Sequence, residues 1–387
     1  MQNRKILFLS SWYPNRIKPT HGNFVYQHAL AASQLNQVRL LYVCLDGQMQ
    51  QRKEVVHSKD PFPTTIVYLS KSRIPMFGSM LNYLRIILCY LNHVKKLKKE
   101  GFHPELVHAN VVYPIGIVAW LLKCFHAIPY VFTEHWTVYH KGAQAKLNKW
   151  QKFLTIFTAN RAERILPVSA NLAGAMQSFG IHQEMQVVYN VIDTQLFVPG
   201  KEKNNEVINL MHVSSLDPVQ KNPLLLFEAV ALVLKTHPTV QLNIISDGDF
   251  QQYEADIQRL GISTSVFFHG MMEAKEIAAK LQNADLFLLT SRFENLPCVL
   301  IEARSCGVPV VSTNVGGIQE IIHPADGVLI PTEDLVALVL AINEQIGRLT
   351  AYQSDEMHQR AVELFSYEAI GSQFAQVYES ILSKHGS

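Results

Sequence analysis

The chain has 387 residues, enough for two or three domains at roughly 150 residues each, and 48% hydrophobic against 17% charged residues excludes disordered and fibrous classes. The formal net charge is only +2, yet residues 1–199 hold 22 Lys+Arg against 9 Asp+Glu, a net of +13, while residues 200–387 carry −11. That asymmetry points to two units with different surfaces, one of them attracted to anions.

In chain order, Arg4 and Lys5 precede an apolar run at 6–9 that stops at Ser10-Ser11-Trp12-Tyr13-Pro14 with no small-residue cleavage site, so it reads as a first buried strand rather than a leader. A helix is expected at 23–34, and further strands at 39–43, 106–109, 130–133, 165–168 and 187–189. The series restarts with strands at 208–213, 241–245, 266–268, 286–289 and 310–312, and helices at 223–235 and 275–284. Strands alternating with helices predict an α/β chain with parallel sheets and right-handed crossovers. Two such series predict two doubly wound units with ligands at the carboxyl ends of the strands, in a cleft that the units face. The polar Pro-Gly segment at 198–205 marks the boundary, giving domains 1–198 and 199–366. Ile370, Phe374, Val377, Tyr378 and Ile381 recur at helical spacing, so a helix within 367–387 is expected to dock.

The apolar run at 111–122 is too short to span a bilayer. Cys44, Cys89, Cys124, Cys298 and Cys306 are odd in number and scattered, which predicts free, buried thiols in a reducing cytoplasm. From Met80 to Lys99, Leu81, Leu84, Ile87, Leu88 and Leu91 are followed by Lys95, Lys96, Lys98 and Lys99. This is either a surface helix with a buried stripe or a helix lying on an anionic membrane surface. A second basic stretch, Lys141, Lys146, Lys149 and Lys152, favours the membrane reading.

The densest chemistry is Thr290-Ser291-Arg292-Phe293-Glu294-Asn295-Leu296-Pro297, running on through Glu302 to Gly307-Val308-Pro309. Asn295 or a neighbour is expected to cap a helix with Pro297 in its first turn, ended by Gly307 and Pro309. A helix opening after a parallel strand offers unpaired N–H groups to a phosphate. Glu294 and Glu302, at about 100° per residue, fall within roughly 80° of one helix face. Their carboxylates accept bonds from sugar diols, and the pair suits a nucleotide sugar. Paired glycines follow in Asn314-Val315-Gly316-Gly317, and Gly22 lies between the first strand and its helix, where backbone can approach a phosphate. Lys221, after the strand at 208–213, would face a diphosphate, and His135 ends a strand of the first half. No GxGxxG follows the first strand, and no GxxxxGK[ST], HExxH, GxSxG or Cys/His cluster occurs, so dehydrogenases, P-loop NTPases, metal sites and serine hydrolases lose support.

Taken together, these residues resemble glycosyltransferase family 4, the retaining nucleotide-sugar transferases of GT-B fold. The strongest part is Ser291 through Ala303 with two glutamates separated by seven residues, followed by Gly307-Val308-Pro309 and Gly316-Gly317. Asn190-Val191-Ile192-Asp193 with Phe197, Lys221-Asn222, Ser246-Asp247-Gly248, the stretch from His108 to Gly116, and Ser11-Trp12-Tyr13-Pro14 with Gly22 add to it. The resemblance implies a hexose moved from a UDP- or GDP-sugar, without metal or other cofactor, to a glycan or lipid-linked acceptor in cell-surface polysaccharide synthesis. It places Glu294 and His135 at the reaction centre and Glu302 on the ribose. Gly22, Lys221, Ser215, Gly248, His269, Asn295, Leu296 and Pro297 would bind the donor. It also implies a last helix returning to the first domain, hinge closure, and no nucleic-acid partner. Family members often carry Gly-Arg-Leu before the lysine; here Ser214-Ser215-Leu216 stands, leaving Lys221 alone or helped by Arg292. An epimerase of the same fold and an inactive sugar-nucleotide-binding module are the alternatives.

Overall fold

The computed structural model describes residues 3–72, 78–140, 146–200 and 206–385, so Lys141 and part of the expected linker lie outside the described residues. The chain divides into two compact units, Met1–Val191 with Tyr367–Ser387, and Ile192–Ser366. The first therefore ends before the expected boundary at 198. The reason is local: the Ile192 N–H donates to the Phe365 carbonyl, and the Ser305 hydroxyl donates to the Phe197 carbonyl at 2.6 Å, which holds this stretch to the second unit.

The first unit is built on strands β1 (Lys5–Ser10), β2 (Gln37–Asp46), β3 (Lys53–Ser58), β4 (Thr64–Ser70), β5 (Leu106–Asn110), β6 (Tyr130–Glu134) and β7 (Arg164–Pro167). They pair in the order β3-β4-β2-β1-β5-β6-β7, all parallel except β3 against β4. Helices α1 (Asn23–Ser33), α2 (Gly78–Lys99), α3 (Val112–His126), α4 (Lys149–Ala159) and α5 (Ala170–Phe179) connect them. Every residue of β5 and β6 is buried, as parallel strands covered on both faces require. The segment expected as a strand at 187–189 forms none. Gln186 and Val188 donate to the Ile165 and Pro167 carbonyls, but the pairing reduces to one isolated bridge from Ile165 to Met185.

The second unit is a six-stranded parallel sheet of β8 (Ile208–Val213), β9 (Val240–Ile245), β10 (Val266–Phe268), β11 (Leu286–Leu289), β12 (Val310–Thr313) and β13 (Gly327–Ile330), ordered β10-β9-β8-β11-β12-β13. Helices α6 (Pro223–Val233), α7 (Glu254–Arg259), α8 (Ala274–Gln282), α9 (Cys298–Ser305), α10 (Ile318–Ile321), α11 (Leu335–Gly347) and α12 (Ser354–Phe365) belong to it. The last helix, α13 (Tyr367–His385), returns to the first unit. Ile370, Phe374, Val377, Tyr378 and Ile381 enter that unit's core beside Phe8, Val25 and Leu106. The Tyr378 hydroxyl sits 2.6 Å from Nδ1 of His108 in β5, whose Nε2 meets the Thr133 hydroxyl at 2.6 Å.

Two expectations about side chains are corrected. All five cysteines are free, but only Cys89 and Cys306 are buried; Cys124 is exposed at the solvent side of α3. On α2 the buried face runs through Asn82, Ile87, Tyr90 and Val94, whereas Leu81, Leu84 and Leu88 point to solvent. The leucine spacing that suggested a buried stripe belongs to the outer face. No helix among the described residues is long and apolar enough to cross a membrane.

Candidate functional site

In the second sheet the chain runs from β8 outward to β10, then crosses back to lay β11 on the other side of β8. The carboxyl ends of β8 and β11 therefore flank the switch point, where connecting loops diverge and leave room for a ligand. Lys221 comes from the loop after β8 and Glu294 from the loop after β11. Their Nζ and Oε1 atoms are 2.5 Å apart, with side chains only 14% and 8% exposed. The Ser291 hydroxyl donates to the same carboxylate oxygen at 2.7 Å, and Gln220 Nε2 approaches the other at 3.5 Å.

The two loops are stitched together through backbone. The Thr290 hydroxyl donates to the Lys221 carbonyl at 2.9 Å, and the Arg292 N–H to the Gln220 carbonyl at 2.7 Å. The Arg292 guanidinium donates to the Pro218 carbonyl at 2.7 Å and to Asn222 Oδ1 at 2.8 Å, and pairs with Glu333. Arg292 is thus a brace for the Lys221 loop, its guanidinium already engaged by protein groups. From below, the Gly316-Gly317 turn supports Glu294. Gly316 has φ +59°, a Cβ on it would lie 2.0 Å from the Glu294 carbonyl oxygen, and the Gly317 N–H donates to the Asn295 carbonyl at 2.8 Å. Only glycine fits such an approach.

Helix α9 starts after Pro297, which is its N-cap residue and makes no side-chain cap bond. Pro297 is therefore not inside the first turn, and it supplies no side-chain cap. Glu294 precedes the helix, so the helical-face argument that aligned it with Glu302 does not hold. Asn295 and Leu296 are buried beside it. Glu302 lies on α9, and it keeps some solvent exposure. Even so, its depth among protein atoms pushes its carboxyl up to about 7. Behind it, the fully buried Arg304 pairs with Asp326 at 2.6 Å and anchors the helix.

Ser215 is exposed, and its carbonyl lies where a Cβ on Gly248 would stand, at 2.0 Å, so the loops after β8 and β9 touch at that point. The Gly248 N–H donates to the Ser246 hydroxyl at 2.9 Å. His269 follows β10, but its Nε2 lies 2.8 Å from Asn243 Oδ1, so the ring is turned onto β9. Burial, and then Lys280, lower its pKa.

In the first unit the corresponding switch lies between β1 and β5. Gly22 precedes α1 with φ +74°, and a Cβ there would sit 2.7 Å from the Trp12 backbone. His135 follows β6 and is 9% exposed, its ring 4.1 Å from Phe24 and 5.1 Å from His28. Burial first, then His28 and His108, hold it well below the usual imidazole range, against an opposing hydrogen bond with Asn190. Sequence reasoning passed over its organiser, Glu134. That carboxylate accepts from the N–H groups of Val112, His135 and Trp136 at 2.8–2.9 Å and from the Tyr139 hydroxyl at 2.7 Å. A glutamate ending an otherwise apolar strand was the available signal. Trp136 was given no role either; Trp12 lies 5.6 Å from it and 5.4 Å from His21, making an aromatic rim beside Gly22. Among the described residues, no group of three or more His, Cys, Asp or Glu is placed to hold a metal ion.

Residues 22–196 match the family model described as Glycosyltransferase Family 4, and residues 208–347 the one described as Glycosyl transferases group 1. A component of the phosphatidylinositol N-acetylglucosaminyltransferase of Arabidopsis thaliana is 28% identical over 198 residues, 51% of this chain, and the chain spans only 44% of that relative's length. The glycogen synthase of Mycobacterium tuberculosis is 26% identical over 300 residues, 73% of this chain and 71% of the relative. Among solved structures, a sucrose-phosphate synthase from Thermosynechococcus elongatus superimposes with TM-score 0.80 at 19% identity, covering 98% of this chain and 100% of the other. That likeness concerns the fold.

Proposed function

The chain belongs to family 4 of the glycosyltransferases, with two parallel-sheet Rossmann-like domains of the GT-B class, and on that premise we propose a retaining enzyme that moves a hexose from a UDP- or GDP-sugar to a glycan or lipid-linked acceptor. The observation that carries this reading is the Lys221–Glu294 pair between the ends of β8 and β11. A diphosphate beside Lys221 draws the ammonium toward itself, and the Glu294 carboxylate turns to the hydroxyls of the sugar. The bond from the anomeric carbon to the phosphate oxygen breaks, with its electron pair leaving on the nucleoside diphosphate. The acceptor oxygen bonds to the same face of that carbon, and its proton passes to the departing phosphate oxygen. Lys221 and the N–H groups at the start of α9 stabilise the departing charge without a metal ion. Glu302 takes the ribose, Asn295, Leu296 and Pro297 the sugar and phosphate through backbone, and Ser215, Gly248 and His269 the nucleotide. Gly22 allows close backbone approach to phosphate, and His135 belongs to the acceptor side.

Glu294→Ala lowers kcat by roughly 10²–10³-fold, while circular dichroism and melting stay those of the wild type. A folded variant with full activity overturns the assignment. A thermal-shift panel of UDP- and GDP-sugars identifies the donor, and proton NMR of the product's anomeric signal tests retention. The outer face of α2, with Met80, Leu84 and Leu88 exposed and Lys95 to Lys99 after them, is assigned to an anionic membrane surface. Co-sedimentation with anionic vesicles then falls steeply with salt and with charge reversal of these lysines.

A further inference from the structure

The first unit contains a cavity of about 280 Å³ beneath α2, at the carboxyl ends of β1 and β2. Its walls are Tyr42, Val43, Ile86, Ile87, Tyr90 and Val118. Two of the hydroxyls along it, those of Tyr90 and Ser11, are already satisfied by protein. The Tyr90 hydroxyl donates to the Ser10 carbonyl at 2.9 Å and accepts from the Val43 N–H at 3.0 Å. The Ser11 hydroxyl donates to the Val111 carbonyl and accepts from the Ile115 N–H. The part of the lumen walled by Val43, Ile86, Ile87 and Val118 therefore presents mainly carbon and suits an apolar guest. An engineered apolar cavity of about 150 Å³ stays dry and takes up benzene, so this volume is ample for hydrocarbon.

Lys18 and His21 also line the cavity. No carboxylate among the described residues pairs with the Lys18 ammonium, and His21, adjoining Gly22, has its pKa lowered by burial and by Lys18. From His21 the aromatic rim continues through Trp12 to Phe24, whose ring lies 4.1 Å from that of His135 at a 31° tilt. Helix α2 carries no acidic residue, and its outer face exposes Met80, Leu81, Leu84 and Leu88, while Ile86, Ile87 and Tyr90 of the same helix face the cavity. One helix thus presents apolar surface both outward and inward, with cations beside it.

We infer that this cavity takes the hydrocarbon tail of a phosphate-bearing lipid acceptor, whose anionic head meets Lys18 and whose sugar or hydroxyl end lies along the Trp12–Phe24–His135 rim. The inference rests on the transferase reading for the word acceptor; the tail site itself does not.

Titration calorimetry of the full-length protein with decyl phosphate, decanol and inorganic phosphate separates the terms. Decyl phosphate binds at least about tenfold more tightly than inorganic phosphate, because burying a few methylenes is worth that factor. Ile86→Trp or the milder Val118→Phe, each filling the cavity, weakens decyl phosphate by about tenfold or more. Lys18→Ala weakens decyl phosphate but leaves decanol unchanged. Cooperative thermal unfolding of the first unit, followed by circular dichroism, stays as in the wild type and reports that the variants fold. Equal binding of decyl and inorganic phosphate, or undiminished decyl phosphate binding in both filled variants, overturns the inference. Transfer to water-soluble glycans that ignores Ile86→Trp also overturns it while leaving the transferase reading intact. Decyl phosphate bound in the cavity of a protein that transfers to nothing supports the tail site and removes the transferase reading.

Discussion

With its carboxyl pushed up to about 7 by burial, Glu302 exchanges its proton near neutrality. An ionised carboxylate is the better acceptor for ribose hydroxyls. With Glu302 on the ribose as proposed, donor affinity is therefore expected to fall as pH drops from 8 to 6, and Glu302→Gln to flatten that dependence in a binding titration. Stability runs the other way. The folded state holds this proton at pH values where the unfolded chain, near 4.5, has lost it, so the Glu302 contribution declines as pH rises from about 4.5 to about 7. Discounted for partial exposure, the loss is about 2 kcal/mol at pH 8, and Glu302→Gln should melt higher there than the wild type but not at pH 4. Gly22 offers a second check at this scale. With φ +74° and the Trp12 backbone 2.7 Å from where a methyl group would stand, Gly22→Ala should cost more than about 2 kcal/mol in denaturant unfolding. Gly101→Ala, with φ +85° but open space around it, should cost only the backbone strain of about 1–2 kcal/mol. Residues with a familiar motif around them, such as Glu294, were legible from their neighbours in sequence. Glu134 was not, because its importance lies partly in donors supplied by another segment, such as the Val112 N–H.

At the scale of elements, α9 owes its position to a charge buried behind it. Asp326 accepts from the Arg304 side chain and also pairs with Arg360, and both Arg304 and Asp326 are cut off from water. Asp326→Ala leaves a buried guanidinium without its counter-charge and should cost about 3–5 kcal/mol. Replacing Arg304 and Asp326 together by apolar residues should cost much less, and equilibrium unfolding distinguishes the two. Strands such as β5, β8 and β11 were readable because burial favours short apolar-rich runs, continuous in β11 and interrupted in β5 and β8 by His108, Asn209 and His212. The edge strand β3 escaped, since its sequence KEVVHS is mostly exposed and resembles a loop. On α2 the leucines at helical spacing predicted the helix but not its orientation, because periodicity defines a stripe without saying which side the sheet occupies.

For the molecule as a whole, α13 is the decisive closure of the first unit. It buries Phe374 and Tyr378 over His28 and His108, whose rings lie 5.0–5.8 Å from them. A chain ending at Ser366 should lose cooperative unfolding of the first unit and bind a hydrophobic dye, while UDP or GDP continues to protect the second. Composition, strand–helix alternation and the carboxylate-rich segment near Glu294 were enough, in sequence alone, to determine the α/β class, the two series of strands and the region where chemistry gathers. Those are local properties, carried by periodicity and by residues close in the chain. Tertiary structure alone decided that Lys221 meets Glu294 across 73 positions, that Arg292 braces a loop, and that α2 roofs an apolar cavity. These follow from strand order and helix phase, which depend on contacts between distant segments that no local pattern encodes.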